Sequence, residues 1–122
     1  MKNHLIIGNP ISHSLSPRLH NYWFKEHDID GHYEKIAATT NEIKTIIQKI
    51  KKKEIEGLNV TVPYKQTVIP FLETQSETAT NTNSVNTILS KNGKIHGDNT
   101  DVYGFEKSII NNKIDLKGKS AL

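Results

Sequence analysis

Short apolar runs alternate with amphipathic segments along this chain. Each run has the length of a strand and stops at a residue typical of turns. The third run ends at Pro63, because proline cannot donate a hydrogen bond within a sheet. The pattern therefore predicts three buried strands, at residues 4–8, 32–38 and 58–62.

The segments that separate these strands have the pattern of helices. Ser16 followed by Pro17 is a typical helix start, with Ser16 as the N-cap, and the predicted helix runs to about residue 27. Thr40 or Asn41 caps the next predicted helix. Its isoleucines then recur at the spacing of one helical face, at positions 43, 46, 47 and 50.

Two further helical regions are predicted in the second half of the chain. Residues 63–84 favour two short helices with a break near Pro70. Asp101 then caps a last helix, which ends at about residue 111.

A hairpin signal lies between these two regions. The pair Asn92-Gly93 supplies the positive φ angles of a tight turn between the runs 85–90 and 94–97. We therefore predict an α/β fold with a mostly parallel sheet, helices on both faces (three-layer αβα) and one antiparallel hairpin.

Length and composition fit one domain. The chain has 122 residues and no cysteine, so its sequence offers no disulfide and no thiolate metal ligand. No apolar stretch approaches the ~18 residues of a membrane span, and the N-terminus lacks the pattern of a signal peptide. We therefore expect a cytoplasmic protein.

The charge pattern argues against nucleic acid. The net charge is +3, and much of the excess lies in residues 49–54, at the end of a predicted helix, where cations suit the helix dipole. Aromatic residues do not interleave with the basic ones. His13, His20 and His27 are too far apart for a helical metal site, so we expect no metal.

Polar residues collect after the predicted strands, which is where parallel sheets bind ligands. Ser14 and Ser16 stand beside a helix N-terminus and suit a carboxylate, although, taken alone, they are better explained as a turn residue and a helix cap. Asn59 and Thr61 are two apart and face one side of a strand, where a ligand or a neighbouring loop must satisfy them.

Lys65 and Asp101 are candidates for acid-base chemistry. A lysine that is partly desolvated at a strand end loses its proton more readily, and Asp101 is its natural counter-charge. An ordinary ion pair at the rim of a crevice is the alternative interpretation.

Five segments, in this order and spacing, resemble the shikimate dehydrogenase family. Before the fourth segment the family commonly has Gly-Ala where this chain has Asn83-Ser84; asparagine tolerates left-handed backbone, so we expect this loop to be kept. The segments are Gly8-Asn9-Pro10-Ile11, Ser14-x-Ser16-Pro17, Asn59-Val60-Thr61-Val62-Pro63-Tyr64-Lys65, Val85-Asn86-Thr87 and Gly97-Asp98-Asn99-Thr100-Asp101.

The resemblance implies a substrate-binding domain for the reversible, NADPH-dependent reduction of 3-dehydroshikimate to shikimate, in chorismate and aromatic amino acid biosynthesis. It implies that Lys65 and Asp101 form the catalytic pair and that Glu77 lies on the nicotinamide side. The implied substrate contacts are Ser14 and Ser16 for the carboxylate, and Asn59, Thr61, Asn86 and Asp101 for the ring hydroxyls, with Lys65 beside them.

The sequence contains no Gly-x-Gly-x-x-Gly turn for a dinucleotide. We therefore expect a piece of a longer protein, which binds substrate without turnover and binds NADP mainly elsewhere; a natural stop after residue 122 would contradict this. The predicted organisation is a substrate domain over 1–101, a helix and connector over 102–116, and the start of a Rossmann strand over 117–122.

Two alternatives remain open from the sequence. One is a quinate/shikimate or aminoshikimate dehydrogenase, and the other is a binding module for shikimate-like acids without catalysis. The expected partner is a small-molecule substrate, with neither nucleic acid nor membrane. We also expect apolar surface that a second domain would cover, through which the isolated chain could self-associate.

Overall fold

The computed structural model describes residues 1–121, which form one six-stranded sheet and four α-helices. Within these residues no helix is long and apolar enough to cross a membrane. The elements are β1 (Lys2–Gly8), α1 (Ser16–Glu26), β2 (Gly31–Ala37), α2 (Ile43–Lys51), β3 (Gly57–Val60), β4 (Thr74–Gln75), α3 (Glu77–Thr82), β5 (Thr87–Lys91), β6 (Lys94–Asp98) and α4 (Asp101–Asn111).

The strand order in the sheet is β2-β1-β3-β5-β6-β4. β1 is parallel to β2 and β3, and β4 is parallel to β6, whereas β5 is antiparallel to both of its neighbours. Asn92 and Gly93, at the turn between β5 and β6, have φ angles of 52° and 75°. The predicted parallel sheet with one antiparallel hairpin is confirmed.

Apolar side chains lie on both faces of the sheet. Leu5 and Ile7 of β1 join the larger cluster, which contains the four isoleucines of α2. Ile6 points to the opposite face and belongs to a smaller cluster with Tyr33, against which Phe24 of α1 packs. Successive residues of a strand alternate between faces, so β1 contributes to both clusters and the three-layer arrangement is confirmed.

The prediction for residues 63–84 is partly wrong. A 3-10 turn at Ile69–Phe71 replaces the first helix, and Pro70 lies inside its first turn, where no backbone N–H is required. β4 follows and pairs with β6, and only then does α3 begin. A strand of two residues is too short for its alternation to be recognised.

Two predicted boundaries are also wrong. β3 ends at Val60, so the alternation does not extend to Val62, whose side chain is 68% exposed. A 3-10 turn at Thr40–Glu42 precedes α2, so the N-cap position of α2 is Glu42 instead of Thr40 or Asn41. The 3-10 turn itself begins after Thr39, which has the extended backbone of a cap position. Residues 117–121 are not in a strand, and residue 122 lies outside the described residues.

Candidate active site

The loop after β1 places two serines at the start of α1. Ser14 Oγ accepts a hydrogen bond from the backbone N–H of Ser16 at 3.3 Å. The helix begins at Ser16 and its N-cap position is Leu15, which has no side-chain oxygen. The prediction that Ser16 caps α1 is therefore wrong, because Ser14 supplies the accepting oxygen and the Ser16 hydroxyl is not used by the helix.

Ser14, Ser16 and Thr61 line one pocket, together with Ile6, Ile11 and the Pro10–His13 loop. Gly8 makes this arrangement possible, since a Cβ atom there would lie 2.6 Å from Thr61 Cγ2. Three hydroxyl groups among apolar side chains suit a small polar ligand that carries an anionic group.

Lys65 and Asp101 meet at the end of this region of the sheet. Lys65 Nζ donates to Asp101 Oδ2 at 2.8 Å, and their side chains are 32% and 52% exposed. Asn86 Nδ2 donates to Asp101 Oδ1 at 3.1 Å and to Thr100 Oγ1 at 2.8 Å. Each carboxylate oxygen thus has one partner, and the ammonium remains accessible for a ligand.

Asn59 connects this cluster to the serine pocket. Its Nδ2 donates to the Asn86 carbonyl and to Thr87 Oγ1, both at 3.2 Å, and its Oδ1 accepts from the Tyr33 hydroxyl at 2.8 Å. Both amide hydrogens are committed, but one lone pair of Oδ1 is available to a substrate hydroxyl.

Tyr33 lies between the serine pocket and the cluster of Lys65, Asn86 and Asp101. Burial raises the pKa of Tyr33 to about 12, although the nearby Ser16 hydroxyl opposes this rise in part. The phenol therefore stays protonated at neutral pH and donates to Asn59. His20 stacks on the Tyr33 ring at a centroid distance of 4.2 Å. Sequence reasoning missed Tyr33, because a tyrosine on the inward face of a strand is indistinguishable from a core residue.

The N-cap position of α4 is Thr100, and Asn99 supplies the side-chain oxygen that accepts the first N–H groups of the helix. Its Oδ1 accepts from the backbone N–H groups of Asp101 at 2.9 Å and Val102 at 3.3 Å. The prediction that Asp101 caps this helix is therefore wrong. Asparagine is as good an N-cap as aspartate, and its position two residues ahead of Asp101 was the missed signal.

Asp98 and Glu77 have separate surroundings. Ser76 Oγ donates to Asp98 Oδ1 at 2.6 Å, and this bond, together with the Asn99 N–H, lowers the pKa of Asp98. Asp98 is thus a charged carboxylate that accepts hydrogen bonds within the fold. Glu77 is exposed in the first turn of α3. Its position near the nicotinamide stays a prediction.

The sequence and the fold both match known proteins. A family model described as the shikimate dehydrogenase substrate binding domain matches residues 6–88. The shikimate dehydrogenase (NADP(+)) of Pelagibacter ubique (strain HTCC1062) is 50% identical over 121 residues, which are 99% of this chain and 46% of that protein.

Two solved structures have the same fold. Shikimate dehydrogenase 1 from Peptoclostridium difficile has a TM-score of 0.87 and 33% identity, over 95% of this chain and 44% of that one. Shikimate 5-dehydrogenase from Thermus thermophilus in complex with shikimate has a TM-score of 0.88 and 30% identity, over 97% of this chain and 45% of that one.

The chain thus spans under half the length of these relatives. The matched residues run from within β1 to within β5 and include the serine pocket, Lys65 and Asn86. From this match, the chain belongs to the family of shikimate dehydrogenase substrate-binding domains.

Proposed function

We propose that this chain is the substrate-binding domain of an enzyme that reversibly reduces 3-dehydroshikimate to shikimate with NADPH. The observation that carries the proposal is the hydrogen-bonded cluster of Lys65, Asn86 and Asp101. It combines one ammonium, one carboxylate and one amide on a partly exposed rim, which are groups that bind and orient a hydroxylated ring.

The proposed carboxylate site is the pair of serines. Ser14 and Ser16 present two hydroxyl groups beside the N-terminus of α1, where the helix dipole favours an anion. Thr61, on the wall of the same pocket, is placed to reach a ring hydroxyl. Asn59 offers its remaining lone pair to a second ring hydroxyl. The amide hydrogens of Asn86 bond to Thr100 and Asp101, so Asn86 would exchange one of these bonds to hold a ring hydroxyl.

Lys65 is proposed to move the proton. In the reduction its ammonium gives a proton to the carbonyl oxygen of the substrate, and in the oxidation its amine takes the proton from the alcohol. Asp101 holds Nζ at 2.8 Å and thereby fixes the direction from which the proton is delivered. A carboxylate clamp at one end of the ring and this pair at the other would hold the reacting carbon in one place.

No dinucleotide-binding glycine turn occurs in the sequence. Gly8 and Gly97 are instead packed so closely that an added Cβ would clash with the side chains of Thr61 and Leu72. The family resemblance implies NADP as the hydride source. We propose that it binds on a part of the longer protein that these residues do not include.

Exposed apolar side chains on and after α4 support the prediction of a covered surface. Among residues 1–121, Tyr103, Phe105 and Ile110 of α4 are 67–69% exposed, and Leu116 is 51% exposed. We propose that the longer protein covers this surface, and that the chain alone self-associates through it.

The test is an assay of the longer protein with shikimate and NADP. Lys65→Ala should lower kcat by about 10²–10⁴-fold, the usual contribution of a positioned general acid-base group. Lys25→Ala, which removes a lysine in the last turn of α1, is the matched control and should leave kcat unchanged. An equal rate in the Lys65 variant would refute the proposal, and a preference for quinate would favour the quinate/shikimate alternative.

A further inference from the structure

We propose that Asn99 is a positioning residue, which sets the placement of Asp101 against Asn86. This inference rests on the proposed function of the site. Asn99 lies between β6 and α4, and only 6% of its surface is exposed. Its side chain bonds to the backbone at the start of α4, which carries Asp101, and to the backbone of the loop that leads to Asn86.

The first contact is with α4. Asn99 Oδ1 accepts from the N–H groups of Asp101 and Val102 at 2.9 and 3.3 Å. An aspartate that caps a helix uses its carboxylate to accept the N–H groups two and three residues ahead of it. Because Asn99 supplies the oxygen at the start of α4, the Asp101 carboxylate is not needed as a cap, and its two oxygens bond to Lys65 and to Asn86.

The second contact is with the loop that leads to Asn86. Asn99 Nδ2 donates to the Ser84 carbonyl at 3.1 Å and to Thr82 Oγ1 at 3.2 Å. Ser84 follows Asn83, whose left-handed backbone has a φ of 51°. The backbone of Asn86 also bonds to Asp98 and Val60, and the amide of Asn99 adds a buried side-chain contact between this loop and the start of α4.

Only asparagine fits both contacts in this geometry. An aspartate keeps the oxygen that caps α4 but turns a second oxygen toward the Ser84 carbonyl, where two acceptors repel. A serine can cap the helix but is too short to reach the loop. A buried amide with all of these hydrogen bonds in use is also costly to remove, because each partner is then left unsatisfied.

The test uses the 122-residue chain and two readouts. The first is the side-chain amide signal of Asn86 in a ¹⁵N-labelled sample, which reports its hydrogen bonds to Asp101 and Thr100 without any ligand. The second is the Kd for shikimate. Asn99→Asp should move the Asn86 signal and raise Kd about tenfold, as expected when a charge-assisted hydrogen bond to substrate is misplaced.

Asn112→Asp is the matched control, because Asn112 also donates from Nδ2 to a backbone carbonyl near a helix end, but on the exposed surface at the far end of α4. It should change neither readout. If Asn99→Asp gives no dispersed spectrum, Asn99→Ser carries the same test with an uncharged side chain.

A double variant separates positioning from general stability. In an Asp101→Asn background, Asn99→Asp should raise Kd by less than about twofold, because the group it positions is already lost. An equal tenfold effect in both backgrounds would overturn the proposal, as would an unmoved Asn86 signal with unchanged Kd. If the unsubstituted chain does not bind shikimate, the proposed function fails, and the Asn86 signal alone decides the positioning.

Discussion

The ammonium of Lys65 and the carboxylate of Asp101 lie 2.8 Å apart across 36 residues of sequence. Lys65 comes from the loop after β3, and Asp101 is the first residue of α4. Ion pairs with this much exposure typically contribute about 0–1 kcal/mol to stability. We therefore expect the pair to matter more for ligand binding than for the stability of the fold.

Asp101→Asn should separate these two roles. The amide keeps the shape but loses the charge that orients Lys65, so shikimate binding should weaken about tenfold while the free energy of unfolding changes by less than about 1 kcal/mol. Denaturant unfolding and a binding titration of the same sample measure both quantities. A large loss of stability with unchanged binding would assign the pair to the fold.

Gly8→Ala should close the serine pocket. The added Cβ would lie 2.6 Å from Thr61 Cγ2 and 3.0 Å from the Val62 carbonyl, so the segment that follows β3 must shift outward. We expect a loss of about 1–3 kcal/mol, the usual cost of overpacking, and weaker shikimate binding. Gly104→Ala is the control: nothing lies within 4 Å of its Cβ, and a helical alanine should stabilise by about 0.5–1 kcal/mol.

Tyr33→Phe should remove one hydrogen bond and little else. The ring keeps its buried place and its stacking on His20, but Asn59 Oδ1 loses its donor at 2.8 Å. The expected destabilisation is about 1–2 kcal/mol, measured by denaturant unfolding. Tyr22, which is 57% exposed, offers a matched Tyr22→Phe control, and an equal effect in both variants would contradict this role for Tyr33.

His4 should make stability depend on pH. Burial lowers the pKa of His4 below 6.5, in spite of contacts with Lys2 and Glu56 that raise it, and its Nδ1 is buried without a partner among the described residues. The unfolded chain therefore binds the proton more readily, and the free energy of unfolding should fall as the pH drops through 6.5.

The His4→Phe variant tests this dependence between about pH 5 and 7. It should show a flatter profile there, measured by denaturant unfolding at each pH. Glu73 and Asp98 have pKa values lowered from 4.5 and 3.8. Their contribution to the free energy of unfolding is therefore lost only at pH values below the range tested for His4. Identical slopes for the two proteins would contradict the assignment to His4.

The fold was largely predictable because its periodic elements are long. The four isoleucines of α2 and the Asn92-Gly93 turn each carry a local signal that tertiary contacts did not override. β4 was missed because two residues at a sheet edge carry no period, and their strand conformation depends on pairing with His96 and Gly97. That pairing has no trace in the local sequence.

The proximity of the candidate residues was more predictable than their geometry. Parallel strands bring their carboxyl ends to one edge, so Lys65 and Asp101 were expected to be neighbours, and they are. Asn86 was expected beside them only from the family resemblance. The caps were assigned to Ser16 and Asp101, but Ser14 and Asn99 accept the N–H groups. Several nearby oxygens compete for one helix start, and only the backbone path decides between them.

The central claim, that this chain holds a shikimate half-site, is tested most directly by titrating the ¹⁵N-labelled chain with shikimate beside Lys65→Ala. We predict saturable shifts, weaker in the variant, that are concentrated at Ser14, Ser16, Thr61, Asn86 and Asp101. A well-dispersed spectrum in which none of these signals moves at millimolar shikimate would contradict the claim.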